Sequence, residues 1–142
     1  MRHERHNSGS PWEPVVGYSR AVRAGDLIVV AGTTASDEQG NVVGKDDPYR
    51  QTHVILAKID RALRALGATL EDVIRTRIYV TDIDRWEEIG RAHREVFGAI
   101  RPAATMVEVR RLVAPDMLVE IEVEARTASP NRNAHEVHTP IG

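Results

Sequence analysis

Three glutamates alternate with apolar residues near the end of the chain, in the stretch VEIEVEA at 119–125. Because successive side chains of a strand point to opposite faces, Glu120, Glu122 and Glu124 share one face of a predicted strand and the apolar residues share the other. Carboxylates in such a row either pair with cations on neighbouring strands or line a cleft at a subunit interface. The polar face of this strand is therefore the first place to look for chemistry.

A second predicted strand, DVIRTRIYVTD at 72–82, presents cations at the same alternating spacing, with Arg75, Arg77 and Tyr79 on one face. Glu108 and Arg110 likewise share one polar face of the predicted penultimate strand. One layer of helices covers one face of a sheet, so the polar face is either solvated, with cross-strand ion pairs, or an interface whose rim forms clefts. The residues alone leave both interpretations open.

Histidines offer a separate route to proton transfer or metal binding. His93 falls on the apolar stripe of a predicted helix, which favours a packed or interface histidine over a proton donor or acceptor at the edge of a cleft. His135 and His138 have helical spacing, but their segment carries no helix signal, so we interpret them as solvated residues and not as metal ligands. The sequence predicts no metal site and no cofactor.

The segment 46–67 predicts a first helix that supports the sheet. Asp47 is a candidate N-cap, Pro48 occupies the first helical position, and Gly67 follows the end. Four apolar residues spaced three, four and three apart line one face: Leu56, Ile59, Leu63 and Leu66. This face is predicted to pack against the sheet.

A second helix is predicted over 85–97, introduced by Asp84 and Glu87 at the spacing of a capping box. Its apolar stripe contains Trp86, Ile89, His93, Val96 and Phe97. Trp86 is interpreted as a core or staple residue and not as a platform for a ligand.

Strands complete the predicted fold. YSRAVRAGDLIVVAG at 18–32 reads as two strands around the turn 24–26, and further strands are predicted over 103–111 and 118–126. The order is β-β-α-β-α-β-β, an α+β sheet with both helices on one face. We expect one domain over 1–126, beginning with a short polar lead, and a flexible tail over 127–142.

Composition sets limits on the function. The 142 residues suit one domain, and the net charge of −2 gives no bulk attraction to nucleic acid. Aromatic residues make up 4% and no basic stripe with interleaved aromatics appears, which argues against nucleic-acid binding. There are no cysteines and no signal-like or membrane-length apolar run, so a cytoplasmic protein without membrane attachment is expected.

Four segments in order and at the right spacing give the chain its resemblance to the RidA (YjgF) family over about 15–126. They are VGYSRAVRAGDLIVVAGTT at 16–34, GATLEDVIRTRIYVTDIDRW at 67–86, RPAATMVEVRRL at 101–112 and LVEIEVEA at 118–125. The resemblance implies a chorismate-mutase-like fold in a homotrimer, with small-molecule ligands in clefts between subunits. It also implies hydrolysis of reactive imines and enamines to a keto acid and ammonia, without a metal or organic cofactor.

The resemblance also assigns roles to individual positions. Tyr18 matches a tyrosine that lies against the ligand, Gly32 a glycine whose carbonyl meets the substrate nitrogen, and Glu120 a glutamate that positions the attacking water. Thr105 and Met106 match residues that present backbone groups to the ligand carboxylate. Glu120 would be the catalytic base.

Ala104 departs from this pattern, because deaminating members carry an arginine here that grips the substrate carboxylate. Losing such a charge-assisted contact costs about 1.5 to 3 kcal/mol, which argues against the usual small 2-imino acid. Arg20 is the best candidate for a relocated cation and Arg77 the second; for each, a partner for the glutamate row is the simpler interpretation. Arg101 lies about 10 Å along the strand from Ala104, too far for replacement.

Two functions therefore compete at the level of sequence. The first is hydrolysis of a C=N or related bond in an unusual substrate, uncharged or larger than the standard imino acid. The second is a small-molecule-binding trimer without turnover. An endoribonuclease or translation inhibitor, the label of some family members, ranks third because the composition lacks a nucleic-acid signature.

Overall fold

A computed structural model of the protein describes residues 2–128, which form one sheet with helices packed on it. The strands are β1 (Glu4–His6), β2 (Ala21–Ala24), β3 (Leu27–Thr33), β4 (Val73–Val80), β5 (Ala103–Glu108) and β6 (Val119–Arg126). The helices are α1 (Trp12–Val16), α2 (Pro48–Ala65) and α3 (Trp86–Phe97), with 3-10 turns at Leu70–Asp72 and Ile83–Arg85. The predicted tail beyond residue 128, with His135 and His138, lies outside the described residues.

The six strands lie in the order β1-β2-β3-β6-β4-β5. Neighbours are antiparallel except β4 and β5, which are parallel and are joined by a crossover through α3. The apolar row of β6, Val119 to Ala125 at alternating positions, is buried on the helix side, and α2 contacts both β3 and β6. The predicted α+β sheet with its long helices on one face is confirmed.

Helix α2 forms as its end signals predict. The Asp47 side chain accepts a hydrogen bond from the backbone N–H of Arg50, and Pro48 opens the first turn. Gly67 follows the helix with φ of 85°, a left-handed conformation that glycine adopts at little cost. The four predicted core residues are all buried: Leu56, Ile59, Leu63 and Leu66.

The start of α3 differs from the prediction. Asp82, not Asp84, caps the chain here, accepting from the backbone N–H of Asp84 at the head of a 3-10 turn, so the proposed capping box with Glu87 is wrong. Trp86 then begins α3 with 54% of its surface exposed, and its assignment to the core is also wrong. Trp86 stands at the first turn of α3, whereas the buried residues of the helix begin at Ile89 and end at Phe97.

The alternation of β4 is broken once, at its first residues. A register shift between Val73 and Arg75 against β6 marks a β-bulge, which inserts one residue into the pleat. Val73 is therefore buried and Ile74 is 47% exposed, the reverse of what strict alternation predicts. From Thr76 onward the predicted pattern holds, with Thr76 and Ile78 buried.

The polar segment before β2 contains a strand and a short helix that the sequence pattern did not predict. Strand β1 adds to the edge of the sheet, with Glu4 opposite Arg23 and His6 opposite Ala21. Helix α1 then brings Glu13 into the interior, where it is 3% exposed. Among residues 2–128, no helix is long and apolar enough to cross a membrane.

Candidate functional site

Cross-strand ion pairs neutralise much of the polar sheet face. Arg77 Nη1 lies 3.3 Å from the Glu124 carboxylate and 3.7 Å from that of Glu122, and Arg75 Nε lies 3.8 Å from Glu124. The Tyr79 hydroxyl donates to Glu122. Arg77 is thus a partner of the glutamate row, which leaves it poorly placed to act as a relocated anchor for substrate.

Glu120 differs from the other two glutamates. Although it stands opposite Tyr79 in the ladder, no described residue donates a hydrogen bond to its carboxylate or forms an ion pair with it. Burial raises the pKa of Glu120 above its usual value, and the negative charge of Glu122 acts in the same direction, while Arg20 partly opposes both. The result is a half-buried carboxylate with free lone pairs and increased basicity.

The absence of a side chain at Gly32 leaves room for the Glu120 carboxylate. A Cβ on residue 32 would stand 2.1 Å from Glu120 Oε2, so any larger residue would collide with the carboxylate. A register shift between Val30 and Thr33 also bends β3 at this point. Two residues predicted to share a site, Gly32 and Glu120, are therefore in direct contact.

Arg20 lies in the same cluster and is 4% exposed. Its Nη1 donates to the Gly32 carbonyl at 2.6 Å and to Thr33 Oγ1 at 3.0 Å, and its Nη2 donates to the Tyr18 hydroxyl at 3.0 Å. Its Nε donates to the Glu13 carboxylate at 3.2 Å. Arg20 is thus a partner of Glu13, not of the glutamate row.

Glu13 is a member of the cluster that sequence analysis missed. Burial alone would raise the pKa of this carboxyl, but hydrogen bonds from Ser8 and then Arg20 outweigh it and hold the pKa below its usual value. The backbone N–H of Ser8 donates to Glu13 at 3.0 Å, and the Ser8 hydroxyl donates as well. Helix α1 has five residues and carries no amphipathic pattern, so no periodic signal indicated that Glu13 would turn inward.

Lys58 on α2 fixes the loop that follows β3. Its ammonium donates to the carbonyls of Thr34 at 2.6 Å and Ser36 at 2.8 Å. Burial, followed by the positive charges of Arg20 and Arg61, lowers the pKa of Lys58 to about 8. A cleft of about 530 Å³ lies here, lined by Lys58, Arg20 and Ser36 among others. Lys58 holds the end of β3, and with it the backbone next to Gly32.

Ala104, Thr105 and Met106 lie elsewhere in the subunit. They belong to β5 at the far edge of the sheet, two strand spacings or about 10 Å from β6. Along the strands Val107 stands level with Glu120, because both pair with Tyr79, so Ala104 is displaced by about another 10 Å. One subunit does not bring these three residues to Glu120.

His93 lies beneath the sheet on the helix side. Its Nε2 is 3.0 Å from Thr76 Oγ1, a buried side chain on the helix face of β4, and its ring packs against Phe97 at 4.8 Å. Burial lowers the pKa of His93. This is a packed, neutral histidine, separated by the sheet from the Glu120 carboxylate.

The cluster of Tyr18, Arg20, Gly32 and Glu120 can bind and activate a small polar molecule. It offers a base in Glu120, a hydroxyl in Tyr18 and a buried positive charge in Arg20. Within residues 2–128 no group of three or more His, Asp or Glu side chains is arranged to hold a metal ion.

Comparison with known proteins identifies the family of the chain. A family model described as Endoribonuclease L-PSP matches residues 9–127. An uncharacterized protein of Streptomyces coelicolor is 43% identical over 122 residues, spanning 85% of this chain and 90% of the relative. A RutC family protein of Pyrococcus horikoshii is 35% identical over 113 residues, spanning 80% of this chain and 89% of the relative.

Solved structures agree in fold. A member of the YjgF/YER057c/UK114 family from Mycobacterium tuberculosis is 53% identical and superposes with a TM-score of 0.81, covering 89% of this chain and all of that one. A putative endoribonuclease from Thermotoga maritima is 27% identical with a TM-score of 0.80, covering 89% of this chain and 98% of that one.

Proposed function

Since the chain belongs to the Endoribonuclease L-PSP (YjgF/RidA) family, we propose that it hydrolyses the C=N bond of a small imine, or of the imine tautomer of an enamine, that lacks the usual carboxylate. Glu120 carries this proposal. A half-buried carboxylate with a raised pKa and no hydrogen-bond donor among the described residues is available to accept a proton, and the missing side chain at Gly32 gives this carboxylate room. Water held by this carboxylate would be positioned to attack.

Glu120 and water supply every proton transfer that this hydrolysis needs. Glu120 takes a proton from water as the water oxygen bonds to the imine carbon, and the C=N electron pair moves to nitrogen, which receives the proton back from Glu120. Glu120 then takes the hydroxyl proton of the resulting carbinolamine and delivers it to the nitrogen as the C–N bond breaks, which gives a carbonyl compound and an amine or ammonia. No redox partner is needed.

We place this reaction in clefts between the subunits of a homotrimer. Ala104, Thr105 and Met106 lie about two strand spacings from Glu120 in their own subunit, so a shared cleft requires β5 of a neighbour. Apolar side chains on the open sheet face, Val29 and Val107, are each 42% exposed in the single subunit, which fits their burial against another copy.

Ala104 argues for a substrate without a carboxylate. A methyl group replaces the cation that grips the acid in deaminating members, and neither Arg20 nor Arg77 is free to substitute for it. The natural substrate is therefore a neutral imine or enamine.

The test follows hydrolysis of N-benzylidenemethylamine by ultraviolet absorbance and decay of 2-iminopropanoate by competition with semicarbazide. We expect the wild type to accelerate the first reaction and not the second, and Ala104→Arg to gain the second. Glu120→Gln should abolish turnover while sedimentation still shows a trimer; Glu124→Gln, on the same face, should keep most of it. Acceleration in neither the wild type nor Ala104→Arg would make the protein a binding trimer instead.

A further inference from the structure

Arg20 has almost no capacity left for a ligand. Of the five N–H groups of a guanidinium, four are engaged by Glu13, Gly32, Thr33 and Tyr18. A bidentate contact with a carboxylate needs two parallel N–H groups, and Arg20 has one N–H group left. Arg20 therefore acts on the site through the groups it holds and through its charge.

The first of these groups is the Gly32 carbonyl. A cation already contacts this oxygen at 2.6 Å, and the same guanidinium lies within a few ångströms of any atom that would approach it. A protonated imine nitrogen placed there would compete with the Arg20 guanidinium for this oxygen, and the positive charge of Arg20 would oppose its attraction to the Glu120 carboxylate. Gly32 is thus a poor partner for a cationic substrate.

The second group is the Tyr18 hydroxyl. It accepts from Arg20 Nη2 at 3.0 Å, and the guanidinium carbon lies 5.3 Å from the centre of the Tyr18 ring. Since its oxygen accepts from Arg20 and no residue in the described part of the chain accepts its proton, the hydroxyl is oriented to donate. A donor beside a positive charge suits an atom that accepts hydrogen bonds and gains negative charge during reaction.

We propose that the site formed by Tyr18, Gly32 and Glu120 selects a neutral ligand whose reacting atom is a hydrogen-bond acceptor, an unprotonated imine nitrogen or a carbonyl oxygen, and binds that atom at the Tyr18 hydroxyl. The buried Glu13–Arg20 pair is the positioning element that sets this preference. The reaction at that atom rests on the proposed function, but the binding preference does not.

Three planar probes of equal size separate the possibilities: neutral benzamide, cationic benzamidinium and anionic benzoate. Binding to the full-length protein is measured by NMR titration at pH 7.5, with the amide resonances of Gly32 and Glu120 reporting the location. We expect benzamide to bind about tenfold more tightly than either ion. In the Glu13→Gln/Arg20→Gln double variant, which leaves no buried charge unpaired, benzamidinium should come within about threefold of benzamide.

The control Arg64→Gln removes an exposed arginine of α2 and should keep the wild-type order of affinities. Benzamidinium equal to or tighter than benzamide would overturn the proposal, and so would binding of none of the probes. Benzoate as the tightest ligand would overturn it by making Arg20 a carboxylate anchor. Selective benzamide binding without any imine turnover would leave this proposal standing while the proposed function fails.

Discussion

The cluster around Glu120 combines residues that the sequence analysis singled out with a residue that it missed. Tyr18, Gly32 and Glu120 were brought together by resemblance, and the structure places Glu120 over Gly32 and links Tyr18 to the Gly32 carbonyl through Arg20. The sequence could not predict the partner of Arg20, because Glu13 belongs to a five-residue helix without a periodic signal.

Gly32→Ala tests the contact between Gly32 and Glu120. The new methyl would lie 2.1 Å from Glu120 Oε2, so the flexible carboxylate must swing away from the site. We expect turnover of N-benzylidenemethylamine to fall by about tenfold or more, with a loss of less than about 1 kcal/mol in stability. Full activity in this variant would show that catalysis does not depend on the position of the Glu120 carboxylate. A urea melt of the same variant measures its stability.

The pH dependence of turnover tests the ionisation of Glu120. Its carboxylate form is the base, and burial raises its pKa, so activity should be lost as the pH falls through a value above that of an ordinary glutamate. The Glu13→Gln/Arg20→Gln double variant removes the charge that opposes this rise without leaving a buried charge unpaired, so the acid limb of kcat/KM should move to still higher pH. An unmoved limb in the double variant, with Arg64→Gln as the matched control, would contradict the assignment.

Elements with strong local signals were predicted well. Helix α2 carries a cap, an N1 proline, a terminal glycine and an apolar stripe that agree with one another, and its buried face matches the prediction. Errors arose at the ends of elements: the bulge between Val73 and Arg75 exposes Ile74, and Trp86 at the first turn of α3 is exposed although it shares the spacing of the buried Ile89. Neither feature can be predicted from the pattern of apolar and polar residues.

Leu56→Ala measures how much the contact of α2 with the sheet stabilises the fold. Leu56 is 2% exposed within the core, and removing three side-chain carbons there leaves a cavity. We expect unfolding in urea to cost about 2 to 5 kcal/mol less than for the wild type. Arg64→Ala, on the exposed side of the same helix, should change it by less than about 0.5 kcal/mol; a comparable loss in both variants would count against specific packing.

At the scale of the whole molecule, the isolated subunit leaves an edge strand and an apolar patch in water. All but one of the residues of β5 are exposed, and β5 has β4 as its partner on one side and no strand on the other among the described residues. A long unpaired edge beside exposed valines is a surface that proteins ordinarily cover. The periodicity of the sequence could not show this, since it depends on the order of the strands in the sheet.

Val107→Lys tests the proposed assembly. Val107 stands opposite Tyr79 on the open face, so a lysine there would place a charge inside the proposed interface. We expect sedimentation to show dissociation from trimer to monomer and turnover to fall with it. Ala57→Lys, on the exposed surface of α2, should remain trimeric; a trimer in both variants would locate the interface elsewhere.

The Glu13–Arg20 pair has a consequence for how such a site can change over generations. Replacing either residue alone leaves the other charge buried without a partner, at a cost of about 3 to 5 kcal/mol, whereas replacing both removes the problem. That cost is a large fraction of the stability of a small domain. A lineage carrying this pair is therefore held to it by epistasis, and a change to a neutral side chain at position 20 must pass through a poorly folded intermediate or wait for stabilising substitutions elsewhere.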